Sequence, residues 1–162
     1  MSSLLFSKDI LNAIHTELSQ AKESVLIVSA YCKLEAIKDL DSFISSSVQS
    51  KKLLLRFRLS DIVSKSTDFD VLEYCRSNGW QVFIRFDLHA KTYIVDNSRC
   101  IIGSANATLS GLGINDNCNY EAVTTTILDD SDLSKIKNLI DDAFLVTDEF
   151  FLLLKKKYKN LS

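Results

Sequence analysis

The apolar positions change period several times along the chain, and each change marks an element. Ile10, Leu11, Ile14 and Leu18 recur at helical spacing behind Ser7, a residue type suited to an N-cap. SVLIVSAY (24–31) is almost continuously apolar, the pattern of a strand buried on both faces. LEAIKDLDSFISSSV (34–48) returns to amphipathic helical spacing, and KLLLRFRL (52–59) reads as a second strand. DFDVLEYCRSNG (68–79) predicts a helix closed by Gly79 at the C′ position, and WQVFIRF (80–86) a third strand. This β-α-β-α-β order predicts parallel pairing with helical cover.

The rhythm then changes. AKTYIVD (90–96) and RCIIG (99–103) are strands joined only by Asp96-Asn97-Ser98, too short for anything but an antiparallel hairpin. NATLSGLG predicts a glycine-bearing turn with one helical turn, and NYEAVTTTI (119–127) a further strand rich in β-branched residues. From Ser131, Leu133, Ile136, Leu139, Ile140, Ala143 and Phe144 repeat at helical spacing, and a second helical segment is expected from Thr147 to the lysine cluster. The predicted fold class is α/β, a mixed, largely parallel β-sheet flanked by helices on both faces, in a single domain spanning 1–162.

Composition narrows the function classes. The chain is 46% hydrophobic and 25% charged with no proline, the profile of a soluble globular domain without long linkers. A formal net charge of −2 argues against coating nucleic acid by charge alone. A local basic groove would have to come from Lys51, Lys52, Arg56 and Arg58, from Arg85 with Lys91, or from Lys155, Lys156, Lys157 and Lys159. The cysteines, Cys32, Cys75, Cys100 and Cys118, form no C-x-x-C pair, so no zinc site is expected. MSSLLFSKDI lacks the basic and apolar regions of a signal peptide, and FFLLL is too short to span a bilayer. A cytoplasmic protein with free thiols and no membrane partner is the expectation.

The chemistry concentrates in HAKTYIVD (89–96). Residues two apart on a strand share a face, about 6.5–7 Å apart, so His89 and Lys91 are expected to project together. Imidazole titrates near neutral pH and can attack or accept a proton, whereas lysine brings a fixed positive charge and is a poor metal ligand. The pair suits an anion such as phosphate. Downstream, Gly103 would let the backbone approach a ligand closely, and Ser104 and Asn106 would share a face as neutral donors if the segment stays extended. Glu121, alternating with Val123, Thr125 and Ile127, is a lone strand carboxylate for which an imidazole Nδ1–H is a natural partner. Taken singly, Asn106 also fits a helix cap, Ser104 a turn and Glu121 a rim.

In this order, the residues resemble a known family. HAKTYIVD matches the H-x-K-x(4)-D signature of the phospholipase D superfamily, and GSAN, beginning 14 residues after His89, matches its G-S-x-N. One motif in a short chain looks like the small bacterial nuclease branch, which includes catalytic domains of metal-independent restriction endonucleases. The resemblance implies that His89 is the nucleophile of a phosphohistidine intermediate, that Lys91 and Asn106 bind phosphate oxygens, that Ser104 supports them and that Glu121 orients His89. Asp96 lies an odd number of positions from His89 and heads the hairpin turn, so it is expected to be a structural turn or ion-pair residue. Because such chemistry needs a second acid and His15 lies in a predicted helix with no lysine two residues on, the expected partner histidine is His89 of a second copy. The expected function is a cofactor-free, metal-independent DNA endonuclease acting as a homodimer, its targeting supplied by a separate domain or subunit, in restriction or phage defence. The competing classes are an enzyme on lipid or small-molecule phosphodiesters and a non-catalytic dimeric scaffold.

Overall fold

The computed structural model describes residues 3–161. Eight strands, β1 (Ser3–Phe6), β2 (Ser24–Ser29), β3 (Ser50–Arg56), β4 (Trp80–Arg85), β5 (Lys91–Val95), β6 (Arg99–Gly103), β7 (Ala122–Ile127) and β8 (Phe144–Leu145), form one sheet in the order β1-β7-β6-β5-β2-β3-β4-β8. Pairing is parallel within β2-β3-β4 and antiparallel elsewhere. The helices are α1 (Lys8–Ser19), α2 (Leu34–Ser42), α3 (Leu59–Val63), α4 (Asp70–Ser77), α5 (Leu109–Leu112), α6 (Asp130–Asp141) and α7 (Asp148–Tyr158). The expected α/β class with helices on both faces is what forms, although the parallel part is confined to three strands.

Both sheet faces are buried, which explains the unbroken apolar runs of the central strands. Val25, Ile27, Leu53, Leu55, Val82 and Ile84 face a large core shared with Ile10 and Ile14 of α1, Ile37 and Leu40 of α2 and Leu72 of α4. Leu26, Val28, Leu54, Phe83 and Ile94 face a smaller core covered by Ile136, Leu139 and Ile140 of α6. The α6 cap is Asp129, not the expected Ser131: its carboxylate accepts from the Asp132 amide, and Asp132 returns the bond.

Three local expectations change. Helix α2 stops at Ser42 rather than reaching residue 48, where the Ser45 hydroxyl accepts from the Ser47 amide and offers the backbone a non-helical partner. Ser7 precedes α1, but its φ is 39° and its hydroxyl, buried without a partner among the described residues, makes no cap bond. Its amide instead donates to the Glu121 carbonyl, which ties the β1–α1 junction to β7. Phe144, expected to continue the helical repeat from Ser131, instead opens β8, because α6 stops at Asp141 and the chain pairs with β4; β1 likewise forms by pairing at a sheet edge.

Candidate active site

The strand order reverses beside β2: β3 lies on one flank and β5 on the other. In open α/β sheets such a switch leaves a crevice outside the carboxyl ends of the strands. The register places Ser29 at the end of β2 opposite Lys91 at the start of β5, with Gly103 ending β6 at the same edge. The expected residues His89, Lys91, Ser104, Asn106 and Glu121 come from the segments around this end of the sheet, although the chain supplies them over 33 positions.

His89 lies two residues before β5, not within it, and it still meets Lys91: the Lys91 Nζ is 3.0 Å from His89 Nδ1. Nζ also lies 3.4 Å from Nε2, so the ammonium faces the ring rather than one nitrogen, and either nitrogen can carry the lone pair. Burial holds the Lys91 pKa below its ordinary value; Glu121 opposes that shift and Arg56 adds to it.

Asn106 is held by its oxygen. Residues 105–107 run beside the end of β2 through a bridge between Cys32 and Ala107, and the Tyr31 amide donates to Asn106 Oδ1 at 3.2 Å. An N–H donor identifies the facing atom as oxygen, so the NH2 group is left to face the crevice with no partner among the described residues. The Ser29 hydroxyl, fully buried, accepts from the Ala107 amide at 2.8 Å and donates to the Tyr31 carbonyl at 2.6 Å, which locks this geometry. Thr108, rather than Asn106, caps α5 by accepting from the Gly111 amide. A Cβ on Gly111 would lie 2.5 Å from the Asn106 carbonyl, so glycine is required there.

Ser104 and Glu121 form a unit. The Ser104 hydroxyl donates to Glu121 Oε1 at 2.5 Å and accepts from the Ala122 amide at 3.0 Å, while Asn119 Nδ2 donates to Oε2 at 3.1 Å. Glu121 sits just before β7 rather than inside a strand, and its hydrogen bonds go to Ser104 and Asn119 rather than to His89. Gly103 is needed for a different approach from the one expected. A Cβ there would lie 2.2 Å from the Ala122 carbonyl and 2.6 Å from Val123 Cα, so the close neighbour is β7 backbone, not ligand.

Asp96 points away from this cluster. With φ 55° it opens the β5–β6 turn, and its carboxylate accepts from the amides of Lys22, Glu23 and Ser24 at 2.8–3.1 Å. Burial works to raise its pKa, but those three amides and the Arg99 charge outweigh it and hold the carboxyl below its ordinary value.

Sequence reasoning missed Ser29 and Tyr31, and it read Arg56 only as part of a basic groove. Arg56 is buried, grips Asp61 through two bonds of 2.9 Å and donates to the Tyr31 hydroxyl at 2.6 Å. Half of the expected basic groove is neutralised by pairing: Lys51 with Asp41, Arg56 with Asp61, Arg85 with Asp87, and Lys155 and Lys159 with Glu73. The second histidine, His15, is held at 2.6 Å by Asp39 and stacks on Phe43, a contact between α1 and the end of α2. All four cysteines are free. Among the described residues no three His, Cys, Asp or Glu side chains form a metal-ligand group, and no helix is long and apolar enough to cross a membrane.

An imidazole, an ammonium and an amide side chain thus come from segments at the switch point of a mixed sheet, a set of groups that suits an anion. Residues 14–142 match the family described as "Cardiolipin synthase, PLD-like domain". The chain belongs to this phospholipase D-like family and is a phosphodiester hydrolase of that superfamily. No curated protein sequence matches it. Among solved structures it is similar to NucT from Helicobacter pylori, with TM-score 0.66 and 20% identity over 87% of this chain and 93% of that one. It is also similar to Nuc, a phospholipase D family member from Salmonella typhimurium, with TM-score 0.69 and 16% identity over 90% and 97%. Phosphatidylserine synthase from Haemophilus influenzae aligns with TM-score 0.71 and 12% identity over 99% of this chain but 43% of that one. At these identities the likeness concerns the fold.

Proposed function

We propose that the chain is a nuclease that hydrolyses DNA through a covalent phosphohistidine, without metal, at a site completed by a second copy of itself. The observation that carries this reading is the Lys91 ammonium 3.0 Å from the His89 imidazole, beside an Asn106 amide whose donors are turned outward. Lys91 and Asn106 bind the non-bridging oxygens of a phosphodiester. A lone-pair nitrogen of His89 attacks phosphorus, the P–N bond forms and the P–O bond to the leaving group breaks. The imidazolium of the second copy's His89 gives its proton to the departing oxygen. It then takes a proton from water as water attacks phosphorus and the P–N bond breaks. Glu121, with Ser104 and Asn119, keeps negative charge near the Lys91 ammonium and the histidine beside it.

Two observations support the composite site. His15, the other histidine, is engaged by Asp39, which favours a second copy's His89 as the acid. Exposed apolar side chains stand near Ser104 and Glu121: Phe6, Tyr120 and Ile102, with the first two rings 6.0 Å apart. A twofold contact there would cover them and bring like residues together. The nuclease likenesses favour nucleic acid as substrate. The net charge of −2 favours a module whose targeting comes from another domain or subunit, as restriction or phage defence would require.

The test is cleavage of single-stranded, double-stranded and supercoiled DNA by wild type and His89→Ala, with and without EDTA. Wild-type cleavage in EDTA is expected, with its loss in the folded, dimeric variant. Activity that vanishes in chelator and returns with magnesium, or full activity in a monomer, refutes the mechanism. Inertness on nucleic acid with turnover of bis(p-nitrophenyl) phosphate would move the substrate to lipid or small diesters, and inertness on both to a scaffold.

A further inference from the structure

A second polar cleft adjoins the phosphate site. Its volume is about 440 Å³, within the range of about 300–1,000 Å³ usual for small-ligand sites. Asn106 and Asn119 line it, so it shares a wall with the candidate catalytic cluster, and Tyr31, Lys33, Lys65 and Asn115 contribute to the rest. The lining contains two lysines and no carboxylate, in a chain whose net charge is −2.

The two lysines play different parts. Lys33 Nζ is 2.7 Å from Asp68 Oδ1 and 2.7 Å from the Lys65 carbonyl, so its charge is paired and it pins the Lys65 backbone. Lys65 itself has φ 63°, left-handed backbone that a non-glycine residue holds only when its surroundings require it. Its ammonium has no partner among the described residues. A fixed backbone thus presents an uncompensated cation at the mouth of a cleft that continues from the scissile phosphate.

We propose that this cleft holds the phosphodiester next to the scissile one on a nucleic-acid strand, with Lys65 as its counter-charge and Asn115, Ser66 and Ser110 as hydrogen-bond partners for the attached nucleotide. This rests on the nucleic-acid reading above. It assigns the strand a path, from Lys91 past Asn106 to Lys65, and it gives a chain of net charge −2 a local hold on a polyanion.

The test measures binding rather than cleavage, so that the two readings fail separately. In a His89→Ala background, fluorescence anisotropy follows a labelled single-stranded DNA oligonucleotide across a salt titration. Lys65→Gly keeps the φ 63° backbone accessible and removes the charge; Lys65→Glu reverses it. Losing one phosphate contact should lower the magnitude of the log-affinity against log-salt slope by about 0.7. Lys135→Glu, an equal charge change on exposed α6, should leave the slope where it was. An unaltered slope in both Lys65 variants, an equal drop in the Lys135 control, or no oligonucleotide binding by the parent overturns the proposal. A Lys65-dependent slope in a protein whose wild type cleaves no nucleic acid keeps the cleft and refutes the nuclease.

Discussion

Replacing Asp96 should cost stability and leave the chemistry alone, although the residue belongs to the signature. Its Oδ1 accepts three backbone amides, from Lys22 at 3.1 Å, Glu23 at 2.8 Å and Ser24 at 3.0 Å, and Oδ2 accepts the Lys22 amide again. The Ser24 bond is partly buried, and a hydrogen bond to a charged group contributes about 1.5–3 kcal/mol. The Lys22 and Glu23 amides are exposed and regain water when the carboxylate goes, so each should count for about 0.5–1 kcal/mol. An alanine at φ 55° adds about 1 kcal/mol of left-handed strain. Asp96→Ala should therefore lose about 3.5–6 kcal/mol, a large share of the 5–15 kcal/mol typical of a domain. Asp96→Gly should lose about 1 kcal/mol less, because glycine accepts that backbone. Asp96→Asn tolerates the conformation and keeps an acceptor, so it should lose only about 1–2 kcal/mol.

Urea unfolding followed by circular dichroism, at pH 7 and at steps down to pH 2, gives these differences. The Asp96 carboxyl sits below its ordinary pKa in the folded state, so the unfolded chain binds its proton first as pH falls. The stabilisation is then complete above the ordinary carboxylate value and is lost as pH falls through the depressed one. The gap between wild type and Asp96→Asn should hold from pH 7 to 5 and shrink below pH 4. Turnover of bis(p-nitrophenyl) phosphate by folded Asp96→Asn should stay within about threefold of wild type, equivalent to less than 1 kcal/mol. An Asp96→Ala protein of near-normal stability with no turnover would refute this reasoning and return Asp96 to the chemistry.

Two further perturbations separate packing from chemistry. Gly103→Ala places a Cβ 2.2 Å from the Ala122 carbonyl, so β6 and β7 must part; a loss of about 3 kcal/mol in urea unfolding is expected, and a variant of normal stability would contradict it. Asn106→Asp keeps an oxygen to accept the Tyr31 amide but replaces the outward donor with a carboxylate facing the phosphate. Stability should change little, while kcat/KM for the small diester falls by at least about 10²-fold, the usual consequence of losing one oxyanion donor; equal losses of both would show that Asn106 is only structural.

The parts of this molecule that the sequence makes legible are those whose cause is local. Continuous apolar runs follow from burying β2, β3 and β4 on both faces, and the Asp96-Asn97 pair supplies the two left-handed residues, at φ 55° and 50°, that a tight hairpin needs. His89 and Lys91 meet because they are two residues apart. What was not legible depends on partners distant in the chain. Tyr31 fixes Asn106 across 75 positions, and the Ser29 hydroxyl reaches the Ala107 amide across 78. In sequence Ser29 is a polar interruption of a buried strand, with nothing nearby to show what it bonds. The same holds for Asp96, whose turn was readable while its grip on residues 22–24 was not, and for β1 and β8, which exist only as edge pairings.

That division explains why the motif residues alone understate the site. His89 and Lys91 arrive just before and at the start of the antiparallel strand β5, whereas the groups that orient Asn106 come from the end of β2 and the residues that follow it, at the edge where parallel pairing begins. Inserting β5 against β2 is the step that converts a linear motif into a three-dimensional one. It sets Lys91 opposite Ser29, and it lets a buried serine and a backbone amide decide which end of the Asn106 side chain faces the crevice. A substitution at Ser29, more than 70 residues before Asn106, should therefore act on the phosphate donor itself. Ser29→Ala leaves the Ala107 amide buried without its acceptor, which costs about 1–3 kcal/mol. It should also lower kcat/KM in a way that Ser29→Thr, which keeps the hydroxyl, partly restores. Equal activity in the alanine and threonine variants would show that the backbone bridge between Cys32 and Ala107 orients Asn106 without the hydroxyl.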